Sequence, residues 1–319
     1  MKNKIRTILA VLLIGMLALT GCSLGRFGKP SVVSLAKDAM ANMKKVESAA
    51  VNIKTDGGIS AVYEALNIGM NINLDSETDM ELTKEPGLAR GDTTLTVGAV
   101  GQEQTINGTF YRESNDEGST TYVKWQNGDW TKKTTQAEKE AEEEENNTNA
   151  ITMPESVTTV VGMLKYLSDG SVSAELKEET VQVNEKEAYQ ITSTLGGDFL
   201  KDMIDNGTIP LSGVNLDQAE IDWSTVSVPA EIYIYKESKL PARITLDCTS
   251  IGSQIVGNML KEQLESIPFG NIRLDVNRFV VDITIDRYNE IEAFEIPAEA
   301  AGAAESDNLA PGIMDLFQF

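Results

Sequence analysis

The chain has 319 residues, of which 41% are apolar and 24% charged, a composition typical of a folded domain. It carries 27 Lys and Arg residues, 49 Asp and Glu residues and no histidine, which gives a formal net charge of −22. Because such an acidic chain repels phosphate groups, nucleic acid is not an expected partner. The absence of histidine excludes Ser-His-Asp and Cys-His catalysis, histidine-ligated zinc and histidine pH switches.

The N-terminal segment is typical of a signal sequence. Lys2, Lys4 and Arg6 precede an uncharged run from Ile8 to Leu19. This run is shorter than the ~20 residues that a membrane-spanning helix needs. We therefore predict that the segment directs the chain out of the cytoplasm.

The sequence Leu19-Thr20-Gly21-Cys22 resembles the bacterial lipobox. In that motif the Cys thiol receives a diacylglyceryl group and the signal is cut just before it. We predict that residues 1–21 are removed, that Cys22 is the lipid attachment site, and that residues 22–30 form a tether. The mature protein would then sit on the outer face of the cytoplasmic membrane. An ordinary secretory signal or an uncleaved anchor with a chance cysteine is the alternative.

Cys248 is the second of the two cysteines. It lies in a segment of alternating residues, in phase with Ala242, Ile244 and Leu246, which predicts a strand with this side chain in the core. Alkylation of Cys22 would leave it without a disulfide partner. We predict a buried structural thiol rather than a reactive one.

Helical and strand periods alternate irregularly along the chain, which favours an antiparallel α+β fold over parallel winding. The predicted order is a helix over 32–46 capped by Ser31, strands over 49–125, a helix over 157–167, strands over 174–195, a short helix over 199–204, strands over 230–235 and 242–248, a helix over 255–264, and a closing hairpin formed by 280–285 and 291–296.

Two Asn-Gly pairs, Asn107-Gly108 and Asn127-Gly128, are typical of tight hairpin turns. The second turn would place Trp125 opposite Trp130. Residues 134–150 are strongly acidic and polar, which predicts a solvated loop inserted in the domain.

The last residues of the sequence are again apolar. Residues 301–319 are predicted to be a flexible tail, yet Ile313, Met314, Leu316, Phe317 and Phe319 could dock on the domain or on a partner.

Several segments together resemble the LolA/LppX-like lipoprotein fold: Tyr122-Val123-Lys124-Trp125-Gln126-Asn127-Gly128-Asp129-Trp130, Lys186-Glu187-Ala188-Tyr189-Gln190-Ile191, the run from Glu231 to Ile244, and the ending Ile296-Pro297-Ala298-Glu299-Ala300. The resemblance covers residues 31–300. Within this fold, the chain is similar to an uncharacterised branch of lipoproteins from Gram-positive bacteria. It implies a curved antiparallel sheet that wraps as an open half-barrel around a few helices and holds lipid or acyl chains in an apolar cavity.

The resemblance implies a lipoprotein that binds a hydrophobic ligand, such as a lipid, a glycolipid or an acyl chain. We expect no enzymatic activity, no cofactor and no metal; the membrane is the expected partner through the lipid anchor, and a protein partner is not identified. The alternative is an envelope interaction or sensor protein whose half-barrel is filled by its own side chains. The candidate cavity residues are Met40, Met43, Met70, Ile72, Leu95, Phe110, Val123, Trp125, Ile191, Ile232, Ile234, Ile244 and Leu246.

Replacement of Cys22 by Ala tests the predicted anchor. The variant should leave the membrane fraction, because two acyl chains at this residue hold the protein where an unmodified tether would not. Fractionation of cells and mass spectrometry of the N-terminal peptide provide the measurement. Unchanged membrane association, with no lipid mass on wild-type Cys22, would show that the prediction is wrong.

Overall fold

The computed structural model describes residues 30–63, 68–136, 155–205, 221–256, 272–306 and 309. The predicted signal and the tether up to residue 29, which include Cys22, lie outside this description, as do residues 137–150 of the predicted acidic loop, residues 257–264 of a predicted helix and residues 310–319. Residues 134–136 of the predicted loop belong instead to a strand.

The described chain forms one open, curved sheet of twelve strands with a few helices. The strands are β1 (Ser48–Tyr63), β2 (Ile68–Thr83), β3 (Gly87–Ala99), β4 (Gln102–Asn115), β5 (Gly118–Trp125), β6 (Thr131–Gln136), β7 (Ala174–Val183), β8 (Lys186–Gly196), β9 (Ser227–Tyr235), β10 (Pro241–Asp247), β11 (Ile272–Asp286) and β12 (Ala304–Glu305). The helices are α1 (Val32–Met43), α2 (Glu155–Asp169), α3 (Gly197–Asp205), α4 (249–256) and α5 (Ala298–Ala301), with a 3₁₀ turn at Trp223–Thr225.

The strand order across the sheet is β12-β6-β5-β4-β3-β2-β1-β11-β10-β9-β8-β7. Every neighbouring pair is antiparallel except β12 and β6. The prediction of an antiparallel sheet is therefore confirmed, and the sheet is open. Ala304 and Glu305, which fall within the predicted tail, belong to the sheet.

The central strands separate the sheet into two faces. On β1, Val51 is 2% exposed and pairs with Met80 of β2 and Ile285 of β11, whereas the neighbouring Asn52 and Lys54 point to the opposite face. We call the face of Val51 the helix side, since the helices pack on it, and the opposite face the outer side.

Helices α1 and α2 pack against each other and share the main core with the strands. The Ser31 hydroxyl caps α1 by accepting a hydrogen bond from the Ser34 amide at 3.1 Å. The helices bury their apolar faces there, with Leu35, Ala36, Ala39 and Met43 from α1 and Val160, Met163, Leu164 and Leu167 from α2. The helix predictions for these two segments and for α3 are confirmed.

A smaller core lies on the outer side of β7 to β10. It is formed by Val183, Ala188, Tyr233, Tyr235 and Ala242. The Tyr288 hydroxyl donates to the carbonyl of Pro241 at 2.7 Å and closes this cluster. The sheet is therefore packed on both faces at this end.

Cys248 follows the end of β10 and packs against the main core. Burial raises the pKa of its thiol to about 11, and the charge of Asp247 adds to the effect. The thiol is therefore protonated at neutral pH, as the prediction of a structural cysteine requires.

Three local predictions are wrong. Asn107 and Gly108 lie inside β4, opposite Thr94 and Thr93 of β3, because the hairpin is made instead at the ends of these strands. Residues 126–130 form a longer connection, so the ring of Trp130 packs on Tyr111, with ring centroids 5.7 Å apart, and not on Trp125. Residues 291–296 do not form a strand, since the chain leaves β11 for the far edge of the sheet.

A pair of neighbouring substitutions on β8 tests the orientation of the sheet. Leu195 is 3% exposed in the main core, and the adjacent Thr194 points to solvent. Leu195→Ala should lower the free energy of unfolding by about 2–5 kcal/mol, because it removes buried methyl groups and leaves a cavity. Thr194→Ala should change it by less than about 1 kcal/mol. Urea denaturation measures both, and equal losses would contradict the assigned orientation.

Candidate functional site

The outer side of the central strands forms a broad polar groove of about 990 Å³. Alternation along β1, β2, β3, β10 and β11 places one charged residue after another on this face. The charged residues of this outer groove are Lys54, Asp56, Asp79, Glu81, Arg90, Asp92, Arg243, Arg278, Asp282, Asp286 and Arg287.

The cations of the outer groove are paired with carboxylates of the same face. Arg243 donates to Asp282, and Arg278 donates to Asp56 at 2.5 Å. Thr245 adds a hydroxyl donor to the same Asp282 oxygen at 2.8 Å. The described lining of the groove therefore holds no unpaired basic cluster that would select an anion. Its lining also has an apolar part, formed by Ala50, Val51, Met80 and Val280.

Glu81 is a carboxylate of the outer groove that pairs with two arginines. It accepts from Arg90 at 2.6 Å and pairs with Arg287 at 3.0 Å. Burial acts to raise the pKa of Glu81, but the two arginines outweigh it and hold the pKa below its ordinary value. Together, the two ion pairs of Glu81 connect β2 and β3 to the chain that follows β11.

That following chain closes one end of the outer groove. The Asn289 side-chain oxygen accepts from the Glu47 amide at 2.7 Å, and the Asn289 amide donates to the Ser48 carbonyl at 2.8 Å. The guanidinium of Arg90 lies 4.5 Å from the ring centroid of Phe294. The residues after β11 are thus fixed across the ends of β1 and β3.

Most of the predicted cavity residues lie in the closed main core. Those in the main core are Met43, Ile191, Ile232, Ile234, Ile244 and Leu246, and Met40 and Phe110 pack against it from its edge. Val123 is buried outside this cluster. The void lined by Met163, Leu195, Phe199 and Ile232 has a volume of about 10 Å³. That is space for one water at most, so no acyl chain fits at this point.

The helix side continues beyond the main core as an apolar surface. The pairs Ile59 with Ile72, Leu74 with Val97, and Leu95 with Ile106 place these side chains on the face of Val51. We call this surface the apolar sheet face and define it by Ile59, Ile68, Met70, Ile72, Leu74, Leu95, Val97 and Ile106. The predicted residues Met70, Ile72 and Leu95 belong to it.

The apolar sheet face is open to solvent at β2. Ile68 is 60% exposed, and Met70 and Leu74 are each 40% exposed. On the same face of the same strand, Met80 is only 8% exposed. Contiguous exposed apolar surface of this kind marks a site of interaction or ligand binding.

Two aromatic rings border the apolar sheet face on β4 and β5. A Cβ atom on Gly91 would lie 2.9 Å from the ring of Phe110, and one on Gly108 would lie 2.7 Å from the ring of Trp125. Each ring therefore occupies the space beside a glycine that a side chain would need, and this packing explains an Asn-Gly pair inside a strand. A pocket of about 420 Å³ lies beside Gly108 and Trp125.

Sequence reasoning missed the outer groove, although the signal was present. The alternation that predicts Val51 and Ile53 in the core also places Asn52 and Lys54 on one polar face.

In the described part of the chain, no three Cys, Asp or Glu side chains gather in a way that could hold a metal ion. None of the helices that the structure describes is long and apolar enough to cross a membrane.

The sequence matches no known protein family, and no curated protein resembles it significantly. Among solved structures, LprF from Mycobacterium bovis is similar over 86% of this chain and 100% of that chain, with 13% identity and a TM-score of 0.40. A DUF1329 family protein from Desulfovibrio piger matches 81% of this chain and 92% of that chain, with 10% identity and a TM-score of 0.19.

A beta-barrel-like protein of the domain of unknown function DUF1849 from Brucella abortus matches 76% of this chain and 97% of that chain, with 7% identity and a TM-score of 0.25. At scores this low, these likenesses assign neither a ligand nor an activity to the chain.

The ion pairs of Glu81 lead to a pH-dependent prediction. A carboxyl with a lowered pKa in the folded state stabilises the protein above its unfolded pKa, near 4.5, and this contribution disappears as the pH falls through the folded value. Glu81→Gln should lower the free energy of unfolding by roughly 1 kcal/mol at pH 7. Urea titrations should show the difference from wild type shrinking below pH 4.5.

Glu77→Gln is the matched control on the same strand. Glu77 pairs with Lys54 at 2.9 Å, but the two side chains are 47% and 56% exposed. Its replacement should cost less than about 0.5 kcal/mol. A loss for Glu81→Gln that persists unchanged at low pH would contradict the proposed electrostatic origin.

Proposed function

We propose that the protein is a membrane-anchored, extracytoplasmic and non-enzymatic binding protein that holds the apolar part of a lipid-like ligand on the apolar sheet face. The observation that carries the proposal is the exposure of Ile68, Met70 and Leu74 on the face that is buried elsewhere along the same strand. The anchor at Cys22 would keep this surface beside its source of lipid.

The size of the apolar sheet face supports this proposal. From Ile68 to Leu74 the strand advances roughly 20 Å, and the four strands from β1 to β4 span roughly 14 Å. Unbranched side chains such as Met70 adapt to an irregular apolar ligand at low cost. The ligand would lie along the surface, because the void described within the main core, beside Ile232, has a volume of only about 10 Å³.

The charge of the chain favours a neutral or zwitterionic head group. With a formal net charge of −22, the protein repels anionic ligands at long range. The arginines of the outer groove do not reverse this preference, since they are neutralised by Glu81, Asp56 and Asp282.

Native mass spectrometry of the whole chain, released in mild detergent from the membranes of cells that express it, tests the proposal. Wild-type protein should carry lipid mass beyond its covalent anchor, and collisional activation should remove that mass. Leu74→Glu should reduce the occupancy at least about tenfold, since a buried charge would face the ligand.

Asn73→Glu is the matched control, because residue 73 is exposed on the outer side of the same strand. It should leave the bound lipid unchanged. Equal occupancy in Leu74→Glu and wild type would contradict the site. Absence of lipid from the wild-type protein would contradict the function.

The second candidate function is a non-enzymatic interaction or sensor protein of the cell envelope. The closed main core favours it, since Ile191, Ile232 and Ile234 are completely buried by the protein's own side chains. In that case the apolar sheet face would contact a protein, and the wild-type chain would carry no noncovalent lipid.

A further inference from the structure

Trp125 fixes the path of the chain after the last strand. Its indole Nε1 donates a hydrogen bond to the carbonyl of Leu309 at 2.7 Å. The ring itself is held against Gly108, where a Cβ atom would lie 2.7 Å away. Leu309 is therefore attached to an aromatic ring that has little freedom to move.

This attachment lies on the helix side of the sheet. Trp125 pairs with Gly108, two residues from Phe110 on β4, and Phe110 packs against the main core. The Ser306 amide donates to the Lys132 carbonyl at 2.8 Å at the edge of the sheet. Ser306 thus lies at the edge strands, and Leu309 lies at the helix side of β5.

The apolar sheet face begins next to this point. Ile106 lies on β4, two residues from Gly108, and Leu95 of β3 pairs with it. From β5 to β2 the distance is three strand spacings, or roughly 14 Å. The ten residues that follow Leu309 can reach roughly 33 Å when extended.

Those ten residues match the surface in chemistry. They begin with Ala310-Pro311-Gly312 and continue with the segment 313–319, which contains five large apolar side chains and one charged residue, Asp315. An apolar segment tethered at Trp125 has an effective concentration in the millimolar range at this surface. A second copy of this acidic chain would instead be repelled by its net charge.

We propose that residues 313–319 dock on the apolar sheet face and cover Met70 and Leu74 when no ligand is bound. This inference rests on the proposed function, because it concerns the same surface. It adds a segment of the chain that competes with the ligand for the apolar sheet face. A lipid-like ligand would displace the segment, and the segment would shield the apolar surface from aggregation when the ligand leaves.

Site-specific photo-crosslinking in the whole chain, purified and stripped of noncovalent lipid so that no ligand competes, tests the docking. With Leu74 replaced by p-benzoylphenylalanine, irradiation should link position 74 to residues 313–319, as mapped by mass spectrometry. The same group at Asn73, on the outer side, should not reach this segment. No link from position 74 to the segment, or equal links from both positions, would overturn the proposal.

A variant of the segment provides the internal control. Phe317→Asp should reduce the crosslink from position 74 at least about fivefold, whereas Gln318→Asn should preserve it. A crosslink that is insensitive to Phe317→Asp would also overturn the proposal, because it would show proximity without apolar docking.

A chain that ends at Leu309 separates this proposal from the proposed function. If the segment competes with lipid, native mass spectrometry should show at least about threefold more noncovalent lipid on the shortened chain than on the whole chain. Crosslinks without any bound lipid would support docking and contradict the proposed function. Bound lipid without crosslinks, at equal occupancy in both chains, would support the function and contradict docking.

Discussion

The pairing of β1 with β2 and β11 determines the two faces of the whole sheet. Side chains alternate with a period of two, so a slip of one residue would bring Lys54 and Asp56 into the main core and expose Val51. Such a slip would bury unpaired charges, which costs far more than the hydrogen bonds of a new register could return. The helices, the outer groove and the apolar sheet face all follow from this register.

The helices cover only part of the face that the register makes apolar. Met80 is buried beneath the main core, and Met70, ten residues earlier on the same face of β2, is exposed. The same residue type therefore stabilises the fold at one position and is exposed to solvent at another. The outer side has the opposite character, because it is lined by charged side chains whose arginines are paired with carboxylates of the groove.

Local periodicity was enough to predict α1, α2, the pairing of β9 with β10 and the antiparallel strands, whereas the open sheet was implied by the resemblance to a known fold. The prediction of a hairpin turn at Asn107-Gly108 was wrong. The ring of Trp125 fills the space beside Gly108, and a glycine there is therefore compatible with a strand. Local periodicity also could not separate Ile244, which is 1% exposed, from Met70, since both lie on an apolar face. Which part of that face is covered depends on where distant helices pack, and no local pattern records this.

The central claim is that the ligand binds on the apolar sheet face and not within the core between helices and sheet. Methyl NMR of the whole chain labelled at its methionines tests it most directly, with lysophosphatidylcholine as the probe. Met70 should shift with added lipid, while Met163 and Met203, which are 3% and 0% exposed in the main core, should not. Shifts at Met163 and Met203 without a shift at Met70 would contradict the account.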